Sequence, residues 1–300
     1  MLASFTLSPH LKAVLQALLV TFLWSTSWVF IKFGLVEIPA LTFAGLRYAI
    51  AFLCLLPFAL RPVNFYPLRR LSWRDWGRLA ALGLLFYTIT QGAQFVGLAY
   101  LPAITVNLLL SFTTVVVALL GIMLLAEHPT RLQWGGIGLY LLGALIFFYP
   151  ASFPADQLFG LIVALVGVIA NALSSILGRQ VNRTGNLPPL TVTVVSMGIG
   201  AAILLVAGIV SQGLPPLSLL NWAVIGWLAV VNTAFAFTLW NQTMRILSAM
   251  ESSLINNTMM IQIPVLALIF LGESITWREG LGMLLAGAGI VIVQLRFRAP

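Results

Sequence analysis

The chain has 300 residues, of which 61% are hydrophobic and 7% charged, with a formal net charge of +8. A soluble domain carries roughly 25% charged residues to wet its surface, so a chain with a mean hydropathy of +1.06 must present apolar side chains to lipid. One cysteine, Cys54, excludes an internal disulfide and a multi-cysteine metal site, and His10 and His128 stand too far apart to suggest a metal pair.

The apolar runs are about 20 residues long and do not alternate, which predicts helices; a barrel would need alternating segments of roughly 10. The expected fold class is an all-α integral membrane protein with ten transmembrane helices and a central cavity. In chain order the expected spans are 11–36, 40–60, 76–99, 103–126, 132–149, 156–180, 188–211, 221–243, 249–271 and 276–296. Pro39, Pro62, Pro102, Pro150 with Pro154, Pro188 with Pro189, and Pro215 with Pro216 punctuate them. The first run continues past the length of a secretory signal and no small-residue cleavage site follows it, so a cleaved leader is not expected.

Lys and Arg set the expected orientation. With a cytoplasmic N-terminus, the inside segments hold Lys12, Arg61, Arg69, Arg70, Arg74, Arg78, Arg131, Arg179, Arg183, Arg245, Arg296 and Arg298. The outside holds Lys32 and Arg278, and Arg47 falls within a span. Both termini are therefore expected in the cytoplasm. With no basic soluble surface, the positive balance does not imply nucleic acid, and the expected partners are a small-molecule substrate and the lipid bilayer.

The chain repeats itself. Residues 76–149 lie on 222–295 without a gap, an offset of 146: Trp76 meets Trp222, Leu101 meets Leu247, Ala103 meets Ala249, Glu127 meets Glu273, Thr130 meets Thr276, Gly136 meets Gly282 and Gly143 meets Gly289. The glutamates weigh most, because Asp and Glu together number seven. The unit holds five helices, an odd number, so residues 1–150 and 151–300 are expected to form two repeats of opposite orientation, a plan of secondary transporters.

Polar groups are costly in hydrocarbon, so their helical faces carry information. Stripes at spacing three or four run through Thr21, Trp24, Ser25, Trp28 and Lys32; Gly83, Tyr87, Gln91 and Gln94; Asn107, Ser111 and Thr114; Gly167, Asn171, Ser174, Ser175 and Gly178; Thr233, Phe237, Trp240 and Asn241; and Asn256, Met260 and Pro264. From these, Trp24, Trp28, Tyr87, Gln91, Gln94, Asn107, Asn171, Trp240 and Asn256 are the expected substrate-binding set; the bland alternative is hydrogen-bonded helix packing. Trp73, Trp76, Trp134, Trp222 and Trp277 lie near span ends and read as an interfacial belt. Arg47 could bind a substrate carboxylate, or pair with Glu37 or backbone carbonyls and fix its helix; the structural role is preferred. Glu127, Pro264 and Glu273 are likewise read as conformational, with Pro264 bending the ninth helix. Gly135, Gly136, Gly138 and Gly143, and Gly280, Gly282, Gly287 and Gly289, are expected to allow close helix contact. No carboxylate is expected at mid-membrane, which favours facilitated diffusion over proton coupling. No cofactor is expected.

Several of these features together resemble the EamA branch of the drug/metabolite transporter superfamily. They are Trp24-Ser-Thr-Ser-Trp-Val-Phe-Ile-Lys32, Pro39 followed by Arg47, Ala99-Tyr-Leu-Pro-Ala103, the paired Glu127 and Glu273, and the Gly-rich last helix. Ser248-Ala249 departs from the Pro-Ala of the first half. The chain is most similar to members that export aromatic amino acids from bacteria. That resemblance implies a ten-helix basket in the inner membrane exporting Phe, Tyr, Trp and related solutes. An exporter of other metabolites or drugs is the alternative. A membrane-embedded enzyme would need a His cluster, paired Asp or an activated Ser within the bilayer.

Overall fold

A computed structural model describes residues 8–62, 71–125, 130–149, 154–183, 187–243, 246–247 and 255–294. The regular structure among the described residues is helical throughout. In chain order it comprises α1 (Pro9–Gly34), α2 (Ala40–Ala59), α3 (Trp73–Tyr100), α4 (Ala103–Ser111 and Thr113–Leu125), α5 (Arg131–Phe148), α6 (Ala155–Arg183), α7 (Pro189–Gln212), α8 (Leu219–Ala229, Val230–Phe235 and Ala236–Thr243), α9 (Met259–Phe270) and α10 (Trp277–Gln294). Seven helices among the described residues are long and apolar enough to cross a membrane, and Ala103–Val117 and Ile255–Phe270 are shorter apolar helices.

The burial pattern is that of a protein in lipid. On α1 the small residues Ala13, Ala17, Val20 and Thr21 face inward, while Leu11, Leu15, Leu19 and Phe22 are exposed at helical spacing. Water would penalise that outer stripe; hydrocarbon does not. Small inward faces then let backbones approach, the contact that substitutes for hydrophobic collapse between membrane helices.

Two helix pairs show this most closely. A Cβ on Gly136 of α5 would lie 2.8 Å from the Gly289 carbonyl oxygen of α10, and one on Gly282 would lie 2.6 Å from the Gly143 carbonyl oxygen. The crossed pairing, 136 with 289 and 143 with 282, makes α5 and α10 antiparallel. The other glycines expected here do not serve: Gly135 and Gly138 meet nothing within 4 Å, and Gly280 and Gly287 meet only side-chain tips at 3.7 Å. In the second pair, Gly45 of α2 lies on the Leu205 backbone and Gly208 of α7 on the Thr42 backbone.

Local chemistry recurs at the 146-residue spacing. Ser72 caps α3 by accepting from Asp75 N, and Ser218 caps α8 by accepting from Asn221 N. Thr130 with Gln133 and Thr276 with Glu279 form reciprocal boxes before α5 and α10. Two departures from the expected continuous helices recur as well. The α geometry breaks at Phe112 in α4 and at Thr258 before α9, where Phe112 N bonds Leu109 O and Thr258 N bonds Ile255 O, both at 3.0 Å. In α3 and α8 the backbone widens into π-helix, over Gly83–Thr90 and Val230–Phe235. Such widened turns are rare and concentrate at functional sites.

One end of the molecule is knitted by side chains. Lys32 Nζ donates to Leu101 O at 2.6 Å. Gln212 Oε1 accepts from Leu41 N and Thr42 donates to Gly213 O, each at 2.8 Å. The Glu273 carboxylate accepts from Ala103 N at 2.6 Å and Ile104 N at 3.0 Å, so it caps α4 from the far end of α9. That helix start, after Pro102, has no side-chain cap of its own. A carboxylate there satisfies orphan N–H groups and meets the positive end of the helix dipole.

Candidate functional site

The candidate residues fall into two clusters, joined by Arg47 and the π segment of α8. The first surrounds Arg47. This residue is 4% exposed. Its Nε donates to Thr233 Oγ1 at 3.0 Å, and its guanidinium lies 5.3 Å from the Tyr48 ring centre and 5.9 Å from that of Phe95. Thr233 in turn donates to Leu228 O, five residues back. Thr90 makes the matching bond to Leu85 O in α3, so in each π segment a hydroxyl engages a carbonyl at the widened turn. The expected alternative of an Arg47–Glu37 pair is not what forms. Glu37 sits beyond α1 and accepts instead from Asn221 Nδ2 at 2.7 Å.

Tyr87 and Gln91 belong to this cluster. The Tyr48 hydroxyl donates to Gln91 Oε1 at 2.6 Å, and Tyr87 meets Tyr48 edge-on with ring centres 5.6 Å apart. Both expected residues are buried, and Gln94, one turn from Gln91, is half-buried. Tyr48 was missed in the sequence although it adjoins Arg47. A tyrosine inside an apolar run looks like packing until its hydroxyl partner on another helix is known.

The second cluster is aromatic. Trp24 of α1 lies against Phe237 and Trp240 of α8, with ring centres 5.3 and 5.2 Å apart. The Trp24 Nε1–H is buried without a hydrogen-bond partner among the described residues. Asn232, on the same π segment as Thr233, donates to Leu23 O and to Thr26 Oγ1, yet its own Oδ1 is buried without a partner among the described residues. An orphaned buried polar atom costs about 1–3 kcal/mol, so an interior that holds such atoms is one a polar guest could improve. Asn232 was missed because a widened turn rotates side chains away from the regular spacing that the stripes assume.

The remaining expected residues are placed as follows. Trp28 is 6% exposed, in the main core rather than in the aromatic cluster. Asn107 is buried, with Nδ2 unpartnered among the described residues. Asn171 Nδ2 reaches Thr113 Oγ1 of α4 at 3.3 Å, the helix-to-helix bond that the bland reading anticipates. Asn256 is exposed on the short helical turn before α9. Pro264 is buried inside α9. Glu127 lies outside the described residues. Ser25 donates to Gln262 Oε1 at 2.8 Å and Gln262 Nε2 donates to Thr258 at 3.0 Å, which ties α1 to α9 through a glutamine the sequence reading passed over. The five belt tryptophans are all exposed.

Among the described residues, two of the clefts have volumes of about 500 Å³. One is an apolar groove between α9 and α10 that includes Pro264 and Trp277; the other lies at the knitted end, between the α1–α2 turn and Tyr100. None of the nine expected substrate-binding residues lines either cleft.

The chain is similar in sequence to known transporters. The sequence profile of the EamA-like transporter family matches twice, over residues 11–149 and 158–295. An uncharacterized transporter of Archaeoglobus fulgidus is 26% identical over 290 residues, covering 94% of this chain and 98% of its own. The uncharacterized transporter YyaM of Bacillus subtilis is 24% identical, covering 79% of this chain and 87% of its own. A probable amino-acid metabolite efflux pump of Salmonella typhimurium is 25% identical over 299 residues, covering 94% of each. A solved crystal structure shares the fold with a TM-score of 0.67 at 18% identity, covering 94% of this chain and 97% of that one.

Proposed function

The chain belongs to the EamA-like transporter family, and from that premise we propose that it exports aromatic amino acids and related small solutes across the bacterial inner membrane. Like its relatives, which are named transporters or efflux pumps, it is a multi-pass membrane transporter and not an enzyme.

The observation that carries the substrate reading is the Trp24 indole, packed against Phe237 and Trp240 with its N–H buried and unpartnered among the described residues. An apolar wall with one free donor suits an aromatic solute that brings an acceptor. Tyr87 and Gln91, and the orphaned Asn107 amide, extend the same chemistry. The Salmonella relative's name, an amino-acid metabolite efflux pump, points the same way.

The mechanism we propose is alternating access by ten spans in two inverted repeats of five, residues 1–150 and 151–300, with both termini cytoplasmic. Its support is the local chemistry that recurs at 146 residues: the caps, the π segments, the helix breaks and the crossed glycine pairs. Trp28, Gln94, Asn171, Trp240 and Asn256 complete the proposed binding set. Arg47, Glu127, Pro264 and Glu273 are assigned to conformation. Transport is facilitated rather than proton-coupled, because the described carboxylates stand at helix ends.

The test is purified protein in liposomes. Labelled phenylalanine or tryptophan should cross faster than in empty liposomes, with aromatic amino acids competing. Equal acceleration of unrelated solutes would refute the aromatic assignment. Substrate-driven proton flux would refute the facilitated mode.

A further inference from the structure

We propose that Arg47 also anchors a carboxylate on the transported solute. This deepens the transport reading above and rests on it; it adds the charge class of the cargo and a second role for a residue first assigned to conformation.

The argument begins with cost. A guanidinium cannot shed its proton in a protein, and an ionised group inside a membrane span is expensive enough to mark a functional site by default, with a partner to be named. Among the described residues, no carboxylate partners Arg47. Glu37 is engaged by Asn221, Asp75 by Ser72, Glu279 by Thr276 and Glu273 by the start of α4. Asp156 is exposed at the start of α6. The sole hydrogen bond of Arg47 among the described residues is Nε to a neutral hydroxyl, and its other neighbours are ring faces.

The two hydroxyls beside it already have their protons committed to other acceptors. The Thr233 hydroxyl sends its proton to Leu228 O and its lone pair to Arg47. The Tyr48 hydroxyl sends its proton to Gln91 Oε1, which occupies that acceptor. A buried cation whose described neighbours include no carboxylate selects an anion. One guanidinium balances one negative charge, so a carboxylate monoanion fits and a phosphate dianion leaves an excess. With Nε held by Thr233, both Nη groups stay in the fork that pairs two oxygens of a planar carboxylate. Thr233 is thus a positioning residue.

The experiment uses the full-length protein in liposomes with labelled phenylalanine and two competitors: 3-phenylpropionate, which keeps the carboxylate and lacks the amine, and phenethylamine, which does the reverse. The carboxylate should inhibit at concentrations at least about tenfold lower than the amine, and R47Q should raise KM about tenfold or more, the loss of one charge-assisted pair. R47K should recover part of that loss. Equal inhibition by the two competitors, or an unchanged KM in R47Q, overturns the proposal. If R47Q fails to fold, the competitor panel on the unaltered protein decides. If phenylalanine is not carried at all, the aromatic amino acid reading fails separately. The anchor is then decided by thermal stabilisation of the purified protein with monocarboxylates (acetate, 3-phenylpropionate, indole-3-acetate). A rise absent from R47Q supports it, and no rise, or an equal rise in both, overturns it.

Discussion

Glu273 and Arg47 are both charges carried among apolar helices, and the fold provides for them in opposite ways. Glu273 receives two backbone N–H groups at the open end of α4, and the Lys32 charge acts on it from α1. Arg47 receives one hydroxyl and two aromatic faces. Each arrangement suits a different task. A charge that holds helices together is best satisfied at once. A charge that must take and release a ligand is best left with capacity to spare, at a standing cost in stability.

The largest test of that contrast is Glu273→Ala. It strands two helix N-terminal donors and removes the counter-charge of Lys32, so the unfolding transition of the purified protein should fall by the equivalent of about 2–4 kcal/mol. Glu273→Gln keeps a carbonyl acceptor and should lose less. A stable Glu273→Ala protein would break the comparison on its structural side. Next is Lys32→Met, which frees the Leu101 carbonyl and should cost about 1 kcal/mol in the same unfolding assay. Thr233→Val should cost about 0.6 kcal/mol, the average for an interhelical bond in a membrane protein. It should also raise KM several-fold, because the guanidinium is no longer aimed. The smallest expected stability change is Arg47→Met, within about 0.5 kcal/mol of the unaltered protein, since replacing a poorly paired buried charge with an apolar side chain is often neutral or favourable. A destabilisation there as large as that of Glu273→Ala would make Arg47 a structural residue and erase the contrast.

Much of the architecture was readable in the residues because its determinants are local. The expected span 40–60 is α2 at Ala40–Ala59, and 188–211 is α7 at Pro189–Gln212. Each is an apolar run bounded by a proline, and both signals lie within a few residues of what they specify. The repeat spacing was readable too, since the residues that cap helices are sequence features. The widened turns of α3 and α8 and the breaks at Phe112 and Thr258 were not. They arise from hydrogen bonds that shift by one residue, which hydropathy does not sense.

The site divides along the same line. That Arg47, Tyr87, Gln91 and Trp24 are unusual in a lipid-spanning chain follows from residue type and spacing alone, because the cost of a polar group in hydrocarbon is a local quantity. Which groups meet is not local. Glu273 caps a helix that begins 170 residues earlier, and Arg47 finds Thr233 across 186 residues rather than the nearby Glu37. Only the packing of α2 against α8 and of α9 against α4 decided those partners, since a hydrogen bond acts over about 3 Å of space whatever the distance along the chain.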